Sequence, residues 1–296
     1  MNAEPRSVRF SQVVGEAIAH EMEADPKVIL LGEDIGRQGG VFSVTRGLQE
    51  RFGEDCVRDT PISEMAFTGM GVGLAMAGYR PLVEIMFVDF IGACLEQVMN
   101  AMSKNAYMSG GNVKVPMVLK TASGCIGSAA QHSQCLWGLF AHLPGMIVAC
   151  PSSPYDYKGM MAAALQSDHP VVYIENKRQL NKMARTHPVD SHVPEGRYTV
   201  PLDRANVVRE GSDVTLVTVS ASVADAFHAA EELSREGISV EVVDLRTLVP
   251  LDMETVARSV ARTGRLLVVD EDYFSFGMSG EVVARTVEAL GPSALD

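Results

Sequence analysis

No run of apolar residues in this sequence approaches the length that spans a bilayer. The amino-terminal stretch MNAEPRSVRFSQVVGEAIAHEM has neither the apolar core nor the small-residue cleavage site of a signal peptide. Positive charge is also scarce. The 25 Lys and Arg stand against 37 Asp and Glu, a formal net charge of −12 over 296 residues. A surface that acidic repels phosphate backbones, which argues against nucleic acid as a partner. The five cysteines (Cys56, Cys94, Cys125, Cys135 and Cys150) are odd in number and spell no C-x-x-C. Reduced, mostly buried thiols in a cytoplasmic protein are therefore expected, not disulfides or a zinc site. The histidines show no metal-ligand spacing, GMGVGLAMAG at 69–78 does not spell G-x-G-x-x-G, and no nucleophile elbow surrounds Ser133.

What the sequence does hold is a steady alternation of strand and helix patterns. KVILLGED (27–34), RPLVEIMF (80–87), VPMVLKT (115–121), MIVACP (146–151) and PVVYIEN (170–176) are short apolar runs without polar alternation. Such runs fit strands covered on both faces, and helices between them imply a parallel sheet. A helix is expected from Asp89 to about Asn105. From Lys177 the chain turns polar, carries three prolines and loses its period, as a linker does. A second block follows, with strands at VTLVTVS (214–220), ISVEVVDL (238–245) and GRLLVVDED (264–272). Ser222 and Asp225 offer a capping box for the helix after the first of these. The reading is α/β, with two parallel-sheet domains at 1–180 and 207–296 joined by a linker at 181–206.

Two residues invite a chemical reading. Glu64 precedes a run of almost wholly small and apolar residues. It is either a carboxylate stabilised by a helix amino terminus, or a carboxyl group in an apolar pocket able to share a proton with a ligand nitrogen. His132 lies in GSAAQHSQCLW (127–137), beyond the carboxyl end of a strand, where open α/β sheets bind ligands. Glu33 and Asp34 bind a cation or face water, and water is the reading preferred. The small residues of 69–78 suit close helix contact, including contact across a subunit boundary.

Eight motifs then carry a resemblance. LGEDIGRQGGVFSVTRGL, DTPISEMAFTG, GYRPLVEIMFVDF, YMSGG, AAQHSQ, PGMIVACPSSPYDYKG, EGISVEVVDLRTLVPLD and TGRLLVVDE occur in this order. Together they resemble the beta subunit of thiamine-diphosphate-dependent 2-oxo acid dehydrogenases, the pyruvate, branched-chain and acetoin enzymes, over about residues 8–285. The resemblance implies a transketolase-like pyrimidine-binding domain followed by a transketolase C-terminal-like domain. It implies that Glu64 hydrogen-bonds a ring nitrogen of the thiamine diphosphate aminopyrimidine, favouring the imino form that withdraws the thiazolium proton. Met86 and Phe90 match positions that pack on that ring, and His132 matches a histidine that points at the reacting carbon.

The chain has no GDG motif, the segment through which thiamine enzymes hold the diphosphate on magnesium. The resemblance assigns that half, with Mg2+, to an alpha subunit, and implies two alpha and two beta chains. A dihydrolipoyl acyltransferase is the implied acceptor partner and a 2-oxo acid or acetoin the small-molecule substrate. A structural potassium held by backbone carbonyls belongs to some relatives. The chain ends at GPSALD, earlier than the family pattern, so either the chain is truncated or its second domain is abbreviated. Alternatives are half of a split transketolase-like enzyme, or a non-catalytic partner subunit with a degenerate site. The sequence around His132 is not basic, which argues against a sugar-phosphate substrate.

Overall fold

The computed structural model describes residues 6–291. The first five residues and the final PSALD, on which the leader and truncation expectations partly rested, lie outside the described residues. In chain order, α1 (Phe10–Ala24), β1 (Val28–Gly32), α2 (Leu48–Phe52), β2 (Val57–Asp59), α3 (Glu64–Met76) and β3 (Arg80–Ile85) come first. Then follow α4 (Ser103–Met108), β4 (Val118–Ser123), α5 (Trp137–Ala141), β5 (Ile147–Ala149), α6 (Pro154–Gln166) and β6 (Val171–Asn176). The rest comprises β7 (Asn206–Arg209), β8 (Val214–Thr218), α7 (Ser222–Arg235), β9 (Val240–Asp244), β10 (Thr247–Val249), α8 (Met253–Thr263), β11 (Leu266–Val268) and α9 (Met278–Leu290). No helix among the described residues is long and apolar enough to cross a membrane.

Two sheets organise these elements. The first has the order β10-β5-β6-β4-β3-β1-β2 and is parallel except for β10, which runs antiparallel to β5. The second has the order β11-β8-β9-β7, with only β7 antiparallel. This is the expected α/β architecture of two parallel-dominated sheets. One face of the first sheet packs on α1 and α6 through Phe10, Val14, Ile18, Tyr157 and Met160. The other face is shared between the two sheets, because Trp137 and Phe140 belong to the same apolar cluster as Val217, Val243, Val256 and Val282. The second unit is thus seated on the first through a common core.

Several local readings are corrected. The helix expected from Asp89 is broken into a 3-10 segment at Val88–Ala93, a wide turn at Gln97–Met102, and α4. The first turn is unwound where Asp89 is drawn inward onto Lys177 and the Phe90 ring onto His132. The capping box at Ser222 does not form: Ala221 caps α7 and the Asp225 carboxylate accepts from Arg178 instead. The second sheet gains β7, while β10 crosses over to pair with the first sheet. The polar stretch after β6 is held to the first unit, with Leu180, Ala184, Val193 and Val200 buried against α1 and α6, and with Phe10 N donating to the Lys182 carbonyl.

The central strands carry charge where buried strands are normally apolar. Lys120 on β4 reaches Glu84 of β3 at 2.9 Å and Glu175 of β6 at 2.8 Å, and all three side chains are at most 5 % exposed. Burial pushes the Glu175 carboxyl up to about 7, with Lys120 opposing and Glu84 adding to the rise. The folded chain therefore keeps a proton that the unfolded chain loses from the ordinary carboxylate range upward, so this group's contribution to stability falls as pH rises towards 7. Lys120→Met should cost roughly 3–5 kcal/mol at neutral pH, because two buried carboxylates lose their common partner. The loss should shrink in melts near pH 5, where a carboxyl takes up a proton; an equal loss at pH 5 and pH 8 would contradict this account.

Candidate active site

The sequence-predicted residues follow the carboxyl ends of β2 (Glu64), β3 (Met86 and Phe90) and β4 (His132), the edge where a parallel sheet exposes its loops. Met86 follows β3 directly and is half-buried, as are Phe87 and Phe90 beyond it. The loop after β4 returns His132 to this place. Its ring stacks on Phe87 at 5.3 Å between centroids, inclined 26°, and meets the edge of Phe90 at 5.8 Å. Phe42, from the loop after β1, closes on Phe87 at 5.8 Å. Rigid aromatic neighbours with fixed mutual geometry restrict the imidazole far more than a solvated loop does.

The backbone of His132 is fixed as well. Lys177, one residue past β6, donates from Nζ to the His132 carbonyl at 2.9 Å and pairs with Asp89 Oδ2 at 3.2 Å. The other Asp89 oxygen accepts from the Gln134 amide at 3.1 Å. Both side chains of this ion pair are at most 1 % exposed, and the ammonium lies 5.2 Å from the Phe87 ring centroid. Phe87, Asp89 and Lys177 were not singled out from the sequence. The one legible signal was charge placed immediately after a buried strand.

Glu64 opens α3, with Ser63 as its cap residue. It is half-buried, not enclosed, so the closed apolar pocket weighed above is absent around this chain by itself. Its charge is felt by two neighbours. Glu33, just beyond β1, is raised above the usual carboxylate range by burial first and by the Glu64 charge next, a Ser63 backbone N–H working the other way. Cys94 is raised chiefly by burial, with the Thr68 hydroxyl opposing and Glu64 adding. Cys94 ends the 3-10 turn that carries Phe90, so the field of Glu64 reaches the aromatic cluster's own turn. Glu33 is half-buried, not turned out to water as expected, whereas Asp34 is exposed.

The two halves are not joined by a direct contact. His132 and Phe90 share a ring contact, while Glu64 sits in the adjoining crevice with Glu33. That crevice retains unmet polar atoms: Glu33 Oε1 and Thr60 Oγ1 are buried with no hydrogen-bond partner among the described residues. Buried atoms of this kind suit a ligand that brings N–H groups. An aminopyrimidine, with ring nitrogens and an amino group, fits that donor set. Among the described residues, no group of three or more His, Cys, Asp or Glu side chains could hold a metal ion. Clefts of about 640 Å³ (beside α5 and α9) and about 560 Å³ (lined by Asp34, Arg37 and Asp59) leave out both Glu64 and His132.

Comparison with known proteins gives the class. A family model described as "Transketolase, pyrimidine binding domain" matches residues 6–183, and one described as "Transketolase, C-terminal domain" matches residues 203–294. The chain is 46% identical over 277 residues to the beta subunit of acetoin:2,6-dichlorophenolindophenol oxidoreductase of Cupriavidus necator, covering 90% of this chain and 80% of that one. It is 40% identical over 276 residues to the 2-oxoisovalerate dehydrogenase subunit beta of Bacillus subtilis, covering 93% and 83%. With the mitochondrial pyruvate dehydrogenase E1 component subunit beta-1 of Arabidopsis thaliana it shares 39% over 284 residues, covering 96% and 77%. A solved split-gene transketolase, described as an inactive beta4 tetramer, superposes with a TM-score of 0.77 at 23% identity, covering 97% of this chain and 87% of that one. The last likeness concerns the fold alone.

The fold and its two matched domains are thus those of the transketolase-like, thiamine-diphosphate-dependent enzymes. Within that class, the chain belongs to the family of beta subunits of the pyruvate, 2-oxoisovalerate and acetoin dehydrogenases.

The ion pair beneath His132 gives a direct test. Asp89→Ala removes the acceptor of both Lys177 and the Gln134 amide, and should lower stability by about 3 kcal/mol in a thermal melt. Asp89→Asn keeps an acceptor for the amide and should recover part of that loss. Equal melting points for the two variants would contradict the geometry described.

Proposed function

We propose that this chain is the pyrimidine-binding beta subunit of the first component of a 2-oxo acid or acetoin dehydrogenase. It works only with an alpha-type subunit that holds the diphosphate and Mg2+, in an assembly of two alpha and two beta chains. When bound, thiamine diphosphate supplies the nucleophilic carbon that breaks the bond next to a carbonyl. The residues of this chain prepare and orient. Glu64 holds a proton in common with a ring nitrogen of the aminopyrimidine. Met86 and Phe90 pack against that ring and exclude water from its faces. His132, fixed by Phe87 and Lys177, orients substrate and relays protons as the acyl unit passes to a lipoyl arm on the acyltransferase.

The observation that carries this reading is the pair of carboxylates at the crevice: Glu64 on the first turn of α3, and beside it Glu33 with a buried, unpartnered oxygen. Burial first and the Glu64 charge next raise the proton affinity of Glu33, and a ring nitrogen that brings a proton to this pair relieves the repulsion. The exposed apolar side chains around α3 and α4, among them Ile62, Met65, Met70 and Tyr107, are what a covering subunit would bury.

Co-expressed with its alpha partner, Glu64→Gln should assemble normally and lose on the order of 10²–10⁴-fold in turnover of acetoin or pyruvate. Rates near those of the unaltered complex would refute the role of Glu64. The chain purified without a partner should show no turnover with added thiamine diphosphate and Mg2+; activity there would overturn the shared site.

A further inference from the structure

The second unit reaches into the first at one point beside the site. After β11 the chain runs Asp270-Glu271-Asp272-Tyr273, and each of these four residues grips the segment that follows His132. Asp270 Oδ1 accepts from Trp137 Nε1 at 3.1 Å, and Asp272 Oδ2 accepts from the Gly138 amide at 2.9 Å. Tyr273 donates its hydroxyl proton to Gln134 Oε1 at 3.3 Å, and Cys135 Sγ lies 3.8 Å from Glu271 Oε2. Gly138 has no side chain at the place where Asp272 arrives; a Cβ there would stand 2.8 Å from the carboxylate oxygen. The segment 134–138 is therefore shaped to receive these acids.

Glu271 does more than touch that segment. It accepts from Asn176 Nδ2 at 2.8 Å and pairs with Arg178 Nη1. Asn176 and Arg178 flank Lys177, the residue whose ammonium holds the His132 carbonyl. One carboxylate thus fixes both neighbours of Lys177 and, through Cys135, the far side of the His132 loop. Gln134 is tied to both ends of this arrangement: its amide donates to Asp89 and its side chain accepts from Tyr273. The Glu271 side chain is only 10 % exposed, so the link is screened little by solvent.

We infer that Glu271 is a positioning residue for His132, through which the second unit sets the geometry of a site whose other side chains all belong to the first; this rests on the reading of the site given above. It touches no substrate itself. It acts by holding the Asn176–Arg178 turn and the 134–138 segment in register, so that the imidazole stays seated on Phe87 and Phe90.

Two measurements separate this inference from the reading beneath it. In the full chain, Glu271→Ala should raise amide hydrogen exchange about tenfold or more at residues 134–138, with α7 and the strands β8 and β9 unchanged. In the complex with the alpha partner, assayed with acetoin and pyruvate, Glu271→Ala should lower kcat about tenfold and leave KM within about twofold. The same change introduced into His132→Ala should cost less than about twofold, since a residue acting through His132 has nothing left to position. Glu271→Gln, which keeps an acceptor for Asn176, should recover part of the rate, and it replaces the alanine in both measurements if Glu271→Ala does not fold. Unchanged exchange at 134–138, exchange raised throughout the second unit, or an equal loss of kcat with and without His132 would each overturn the positioning role. Full turnover by His132→Ala alone would instead overturn the role given to His132, and would leave the local exchange result standing as a statement about the fold.

Discussion

A single buried ion pair, Lys177 with Asp89, ties the ends of β6 and β3 together and leaves the His132 carbonyl and the Gln134 amide no freedom between them. Removing either partner would leave the other charge buried and alone, which makes this pair a costly point to disturb. The aromatic seat of His132 depends on it, because Phe87 and Phe90 stand on the same turn as Asp89. The unwinding of that turn is the local consequence: a regular helix from Asp89 would not bring both the carboxylate and the Phe90 ring to the sheet's edge.

A second constraint shapes the neighbouring crevice. The Glu64 charge raises Glu33 at the end of β1, and one buried oxygen of Glu33 has no hydrogen-bond partner among the described residues. Within the proposal, the ring of the cofactor and the partner subunit complete both the hydrogen bonds and the enclosure. The half-exposed state of Glu64 then reflects half of a site, and the dry environment its chemistry requires is made only on assembly.

The strands were legible because VPMVLKT and PVVYIEN are covered on both faces, and continuous apolar runs signal that burial directly. The buried charges within them are not legible in the sequence, since Glu84, Lys120 and Glu175 meet only through strand order, which sequence spacing does not encode. β2, with two of its three residues exposed, and β10, which follows β9 after two residues, leave no apolar run of their own. Lys177 begins a polar stretch in the sequence, yet in the fold its ammonium holds the His132 carbonyl. An acidic Gly-rich turn usually faces water, and only the approach of the α3 amino terminus reveals the neighbour of Glu33. His132 lies beyond the end of β4, in the kind of loop its sequence context suggests, whereas the acids at 270–272 have no sequence signal linking them to the loop they grip.

The central claim is that Glu64 and a ring nitrogen hold one proton in common. The most direct measurement is the nitrogen NMR spectrum of thiamine diphosphate, labelled in its aminopyrimidine ring and bound to the complex of this chain with its alpha partner. The account predicts that one ring nitrogen shows the shift of a protonated or strongly hydrogen-bonded nitrogen, and that Glu64→Gln returns it towards the value of the free cofactor. The same ring-nitrogen shift in both complexes would contradict it.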